Sequence, residues 1–240
     1  MPPPAPASSA PLPDTIIKQA PVAGGCSISV PDATAERWRH WLLSHAAGHP
    51  NDAVLASMLA SQCTGLGAMP NRLGLSPQAF DALIADHFPA LKQTELPMPQ
   101  RQLDPDRDDE RGELVQLLLK PWDHGPDAPS EQRLNPSGPT PGLSGAAVQP
   151  SPQQRWMAEI IAAGCMGSDH LWQDLGLWNR AELSRLMEHN FPALARRNVR
   201  DMKWKRFLYK QLCEAEGIYT CRSPSCEVCV DYHACFGPEN

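Results

Sequence analysis

Residues 55–63, Leu-Ala-Ser-Met-Leu-Ala-Ser-Gln-Cys, and residues 157–165, Met-Ala-Glu-Ile-Ile-Ala-Ala-Gly-Cys, open two stretches that run in parallel. Each passes through Leu-Gly-Leu, ending at Leu75 and Leu177, and closes on Phe-Pro-Ala-Leu, ending at Leu91 and Leu194. The offset is 102 as far as Leu75 and Leu177 and 103 afterwards, so Trp178 is a one-residue insertion. Val54, Leu55, Met58 and Leu59 recur at the spacing of one helix face. Ser76-Pro77 reads as a cap with proline at the first helical position, and Asn179 with Glu182 as a capping box. The repeat thus predicts two helix-loop-helix units, 55–91 and 157–194, in a pseudo-symmetric helical core.

Working outward, Trp38, Trp41, Leu42 and His45 line one face of a helix from Thr34 to His45, which Gly48 and Pro50 stop. Asn51 or Asp52 then caps the helix that runs to Cys63. Leu114, Leu117 and Leu118 mark a helix over 109–120, with Gly112 inside it and Pro121 as its stop. Trp204, Phe207, Leu208, Gln211, Leu212 and Ala215 mark a last one over 199–216, ended by Gly217. No period-two run of β-branched residues is long enough for a strand, so the expected fold class is all-α.

Proline sets the domain organisation. The chain has 240 residues and 26 prolines, and 19 of these fall in residues 1–31 and 97–152. A packed core cannot absorb them, so 1–31 reads as a disordered Pro-rich tail and 97–152 as a Pro-rich linker with one short helix. The helical core then comprises 32–96 and 153–217, and residues 218–240 form a Cys-rich metal-binding loop. No apolar run approaches the ~20 residues of a membrane span. The amino terminus lacks the basic and apolar regions of a secretory signal, so the expected location is the cytoplasm. Net charge is −6, with 10 Lys/Arg against 16 Asp/Glu in residues 1–152 and 11 against 11 beyond. That balance argues against nucleic acid as a partner.

Five of the eight cysteines lie in the last 28 residues. Cys221, Cys226, Cys229 and Cys235 form a C-x4-C-x2-C-x5-C array, close enough to meet at one metal centre without long-range folding. Thiolates are soft ligands that suit zinc or an iron–sulfur cluster. Four-cysteine zinc modules use two widely separated C-x2-C pairs, whereas this array has one pair and all four ligands inside 15 residues. Such compression favours an iron–sulfur cluster first, structural zinc second and disulfides third.

The array followed by Phe236-Gly237, and preceded by Met202-Lys-Trp-Lys-Arg-Phe-Leu-Tyr-Lys210 and by His170-Leu-Trp-Gln-Asp-Leu-Gly-Leu177, resembles the NifQ family of nitrogen-fixation proteins. The resemblance runs from about residue 35 to the end, outside the tail and linker. It implies an iron–sulfur protein, a carrier and not an enzyme, that processes molybdenum and donates it for biosynthesis of the nitrogenase iron–molybdenum cofactor. The implied partners are molybdate or a molybdenum–sulfur donor and the nitrogenase cofactor-assembly proteins that accept the metal. The family's cysteine motif falls on Cys221, Cys226, Cys229 and Cys235. Read from residues alone, the alternative is a zinc-stabilised helical interaction or regulatory module.

Other candidates have plainer readings. Cys213 near the end of the last helix reads as core filler, Cys63 and Cys165 as a matched pair of buried thiols, and Cys26 as a free thiol in the tail. His170, Trp172 and Asp174 stand where the first unit has Ala68, Pro70 and Asn71 or Arg72, and are expected to pack a loop that could also face a molybdenum species or a partner. His233 reads as an exposed imidazole that could replace a thiolate. His40, His45 and His49 do not share a face. Residues 196–210 carry Arg196, Arg197, Arg200, Lys203, Lys205, Arg206 and Lys210 against Asp201 alone, a solvated helix face able to attract molybdate or an acidic partner. No triad, P-loop or dinucleotide fingerprint is present.

Overall fold

A computed structural model describes residues 33–91, 96–97, 99–122, 149–215, 217 and 232–237. The tail 1–31, residues 123–148 of the expected linker, and Cys26, Cys221, Cys226 and Cys229 lie outside them. The described residues form helices and turns and no strand: α1 (Ala33–Leu43), α2 (Asp52–Cys63), α3 (Pro77–His87), α4 (Asp108–Leu119), α5 (Pro152–Cys165), α6 (Leu171–Asp174), α7 (Arg180–Asn190), α8 (Pro192–Ala195), α9 (Trp204–Ala215) and α10 (Tyr232–Phe236). Short turns at Asn71–Gly74 and Pro105–Arg107 join them.

The core is laid around α2 and α5, the helices that open the two repeat units. Along α2 every residue from Val54 to Gln62 is buried, and along α5 burial runs through Met157, Ala158 and Ile160–Cys165. A helix that is apolar on nearly all sides must be central. Around this pair α1 lies on α2, α3 on α5, and α4 on both α5 and α9. Leu114, Leu117 and Leu118 of α4 are buried, so the helix that composition places inside a linker belongs to the core.

Local chemistry accounts for most helix boundaries. Ser76 Oγ accepts from Ala79 N at 3.2 Å, with Pro77 opening α3. Ser151 and Gln154 form a full capping box ahead of Pro152 on α5. Asn179 caps α7 by accepting from Glu182 N at 2.9 Å, but the Glu182 carboxylate takes the N–H of Trp178 at 3.0 Å in place of Asn179's. Neither Asn51 nor Asp52 caps α2 in the usual sense. The Asp52 carboxylate reaches back to accept from Gly48 N and His49 N, both at 2.7 Å, and Asn51 exchanges two hydrogen bonds with Asn190 at 2.8 and 3.0 Å.

Close backbone and side-chain contacts join the two units. Ser61 Oγ on α2 donates to Gly176 O at 2.6 Å, and Ala68 N donates to Asp174 O at 2.8 Å. On the other side, Gly74 lies against α5 so closely that a Cβ there would sit 2.6 Å from Ala163 Cβ. Gly74 and Gly176 both hold left-handed backbone, at φ +80° and +72°. Only glycine combines that conformation with so close an approach.

Candidate functional site

The basic run at 196–210 is divided by a turn. Sequence periodicity starts the last helix at Val199, but α9 begins at Trp204. Asn198 makes the difference: its Oδ1 accepts from Met202 N and its Nδ2 donates to Met202 O, both at 2.8 Å, while Asp201 adopts φ +52°. Arg180 pairs with Asp201 at 2.8 Å and closes the turn from outside. Arg196 and Arg197 therefore precede the turn, Arg200 lies within it, and Lys203, Lys205 and Arg206 follow it into the wall of a cavity of about 1300 Å³. The loop after α5, the Gly65–Ala68 turn, Arg101–Asp104 and Tyr209 supply most of the remaining wall.

Lys205 is fixed in that wall. Its ammonium group donates to Gly167 O at 3.1 Å, to Asp169 O at 2.8 Å and to the Asp174 carboxylate. The Asp174 side chain is 1% exposed and also accepts from Asp169 N at 3.1 Å. Burial pushes its carboxyl above the ordinary aspartate value, and the Lys205 hydrogen bond opposes that rise. Thus the loop in which the second unit departs from the first uses Asp174 to hold a lysine and the backbone around it. His170 lines the cavity half-buried at the start of α6, its N–H donating to Gln173 Oε1 at 3.2 Å.

A second clamp lies on the α4 side. Arg107 forks onto both oxygens of Glu110 at 2.7 Å and donates to Met166 O, also at 2.7 Å. Tyr209 of α9 donates its hydroxyl to the same Glu110 carboxylate. The Arg107 hydrogen bond holds Glu110 below its ordinary value, and the Tyr209 hydroxyl is pushed up, first by burial and then by its bond to Glu110. Four side-chain contacts thereby tie α4, α5 and α9 together at the rim.

Of the four array cysteines, the structure describes Cys235, which sits half-buried on α10. Lys203 joins it to the cavity. Its backbone N–H donates to Cys235 O at 2.9 Å, and its ammonium group donates to His233 O at 3.3 Å. Gly237 closes α10 by donating to His233 O at 2.9 Å, in a position where a Cβ would fall 2.5 Å from that oxygen. The end of the expected cysteine loop is thus a helical turn. His233 is exposed, and Cys213 is half-buried on α9. Burial pushes the thiols of Cys63 and Cys165 up to about 12, which keeps both protonated at neutral pH. Among the described residues no group of three or more His, Cys, Asp or Glu side chains is placed to hold a metal ion.

One buried polar cluster escaped the sequence reading. His87 is 2% exposed, its Nδ1 lies 2.6 Å from Asp52 Oδ1, and its Nε2 faces Asp86. The signal was present, because His87 follows Phe80, Leu83 and Ile84 at the spacing of one buried face. Together with the Asp52 bonds to Gly48 and His49, it locks the α1–α2 connection to the end of α3.

Fold and site together define a protein whose described residues are helices and turns, in which a cavity flanked by lysine and arginine adjoins the turn that carries Cys235. The sequence profile of the NifQ family matches residues 54–135 and 142–237. The chain is 42% identical over 190 residues to Protein NifQ of Azotobacter vinelandii, covering 79% of this chain and 89% of that protein. It is 34% identical to Protein NifQ of Rhodobacter capsulatus over 78% of this chain and 87% of the relative, and 33% identical to Protein NifQ of Klebsiella pneumoniae over 82% and 95%. The chain belongs to the NifQ family. No solved structure matches it. No helix among the described residues is long and apolar enough to cross a membrane.

Proposed function

We propose that this protein is an iron–sulfur and molybdenum carrier that processes molybdenum and donates it for biosynthesis of the nitrogenase iron–molybdenum cofactor. Membership of the NifQ family supports a role in nitrogen fixation. The finer role rests on the cysteine array and its position. Cys221, Cys226, Cys229 and Cys235 offer four soft donors, the set an iron–sulfur cluster uses and one to which molybdenum also binds once it is reduced. Such a cluster supplies sulfide and thiolate ligands for the metal being carried. The protein's own contribution is to hold these four donors together and to offer the metal to an acceptor protein of the cofactor-assembly apparatus. In this reading the protein acts in the cytoplasm as a carrier and not as an enzyme.

The observation that carries the reading is Lys203, which holds the last turn of the array against the cation-lined cavity through two hydrogen bonds. We also read the core as pseudo-twofold. Ser61 against Gly176 and Ala163 against Gly74 are repeat-equivalent contacts made in opposite directions.

The test is to purify the full chain anaerobically and replace each array cysteine by alanine, with Cys63→Ala and Cys165→Ala as controls. C221A, C226A, C229A and C235A lose most of the bound iron, and the control substitutions leave it in place. Stoichiometric zinc in a colourless, iron-free protein overturns this reading and favours the zinc-stabilised module.

A further inference from the structure

Among the described residues the one large apolar side chain left exposed is Val199, at 85%. It stands in the turn between α8 and α9, and that turn is rigid. Asn198 closes it on Met202 through two side-chain hydrogen bonds, while Arg180 pairs with the Asp201 carboxylate and also donates to Asp201 O at 3.0 Å. Asp201 holds φ +52°, a conformation that costs a non-glycine residue free energy and persists only where its surroundings impose it. A valine on so fixed a turn has little freedom left to lose when another surface covers it.

Cations and a tryptophan surround it. Arg196, Arg197 and Arg200 are all exposed. The Arg197 guanidinium lies over the Trp122 ring at 4.6 Å and is steadied there by donating to Gln211 Oε1 at 2.9 Å. Lys120, also exposed, reaches the same ring at 4.7 Å, so the patch joins the end of α4 to the α8–α9 turn. A single exposed valine would be unremarked on any surface, but this one is fixed among four cations. Arginine and tryptophan around an apolar centre are the side chains that carry binding energy at protein interfaces. A phosphate backbone would leave the valine without a partner, and the chain as a whole carries a net charge of −6.

We propose that this patch is a docking surface for a protein whose contact face carries carboxylates around an apolar pocket. Val199 enters the pocket, and Arg196 and Arg200 meet the carboxylates at its rim. Lys203, whose N–H holds Cys235 O, follows in the chain at most about 14 Å from Val199. A partner seated on the turn is therefore beside the last turn of the cysteine array. The carrier reading above makes that partner a cofactor-assembly protein that accepts the metal, and the proposal rests on it for that identity alone.

The experiment measures binding of the nitrogenase cofactor-assembly proteins, each purified from nitrogen-fixing cells that lack this chain, to the immobilised full chain. Iron and molybdenum are assayed separately on the same preparations. One assembly protein binds the wild-type chain saturably, with an association rate that falls as salt rises. V199D weakens the complex by about tenfold, the scale of an interface anchor. R196E/R200E slows association by about tenfold, as reversal of rim charges does, and V199I binds as wild type. R155E, a charge reversal at the start of α5, also leaves binding unchanged, and all four variants keep the wild-type melting profile. Failure of every assembly protein to bind the wild-type chain, or wild-type binding by V199D and R196E/R200E, overturns the proposal. So does radical footprinting that finds Val199 already covered in the isolated chain, whether by a second copy or by another part of the same chain. A chain that binds in this way yet takes up neither iron nor molybdenum keeps the surface while sinking the carrier reading. One that carries both metals but binds no less well as V199D does the reverse.

Discussion

Lys205 and Asp174 show how much of the site depends on single atoms. Gly167 passes so close to the pair that a Cβ there would lie 2.3 Å from the Asp174 carboxyl carbon. The carboxylate cannot retreat without releasing Lys205, so Gly167→Ala should destabilise the fold by roughly 2 kcal/mol, the usual scale of overpacking. Gly112, also glycine but on α4 with nothing within 4 Å of its missing Cβ, supplies the contrast. Gly112→Ala should stabilise by about 0.5–1 kcal/mol through helix propensity alone. Urea midpoints of the two variants moving in opposite directions bear this out, and an unchanged G167A midpoint contradicts it. At this scale the sequence was only partly legible. The expectation of two buried thiols, drawn from their matching places in the repeat, holds for Cys165, whereas Cys63 is half-buried, and helix periodicity could have found the buried His87. The role of Asp174 was not legible, because its partner lies 31 residues away and only folding brings the two together.

At the scale of elements, helices with local stop and start signals were legible to within a residue or two. Ser76-Pro77 and Asn179 carry their caps in their own side chains, whereas the Ser151–Gln154 capping box that starts α5 lies in what composition assigned to the linker. The start of α9 was not legible, since the turn at Asn198–Met202 depends on a left-handed Asp201 that composition does not reveal. Nor was the burial of α4, whose leucine face finds its partners on α5 and α9, far along the chain. The Arg107–Glu110–Tyr209 clamp on that interface should make stability depend on pH. Glu110 is held below its ordinary value in the fold, so its contribution is fully present above the ordinary glutamate value of ~4.3 and lost as pH falls below it. Glu110→Gln should therefore lower stability at neutral pH and flatten the acid limb of the unfolding profile in that window. An E110Q profile parallel to wild type down to the acid transition would show that the clamp contributes nothing.

For the whole molecule, the lack of any strand-like run led to an all-α expectation, and the described residues form helices and turns with no strand. What the repeat could not convey is how the halves meet. Asn51 with Asn190, Ser61 with Gly176 and Gly74 with Ala163 are contacts across more than 85 residues of chain, fixed by tertiary geometry rather than by local pattern. The cysteine array stands out in the sequence because its four cysteines lie within 15 residues, and three of them fall outside the described residues. The cavity does not stand out, because its wall draws on the Gly65–Ala68 turn, residues 101–110, the loop after α5 and the first turns of α9. Cys235 and the cavity, joined through Lys203, make the account a claim about metal. The direct measurement is iron, molybdenum and acid-labile sulfide in the anaerobically purified full chain, from cells grown with and without molybdate. The account predicts a brown protein with iron and sulfide in both preparations and molybdenum only in the first. A colourless protein, free of iron and molybdenum under both conditions, would contradict it.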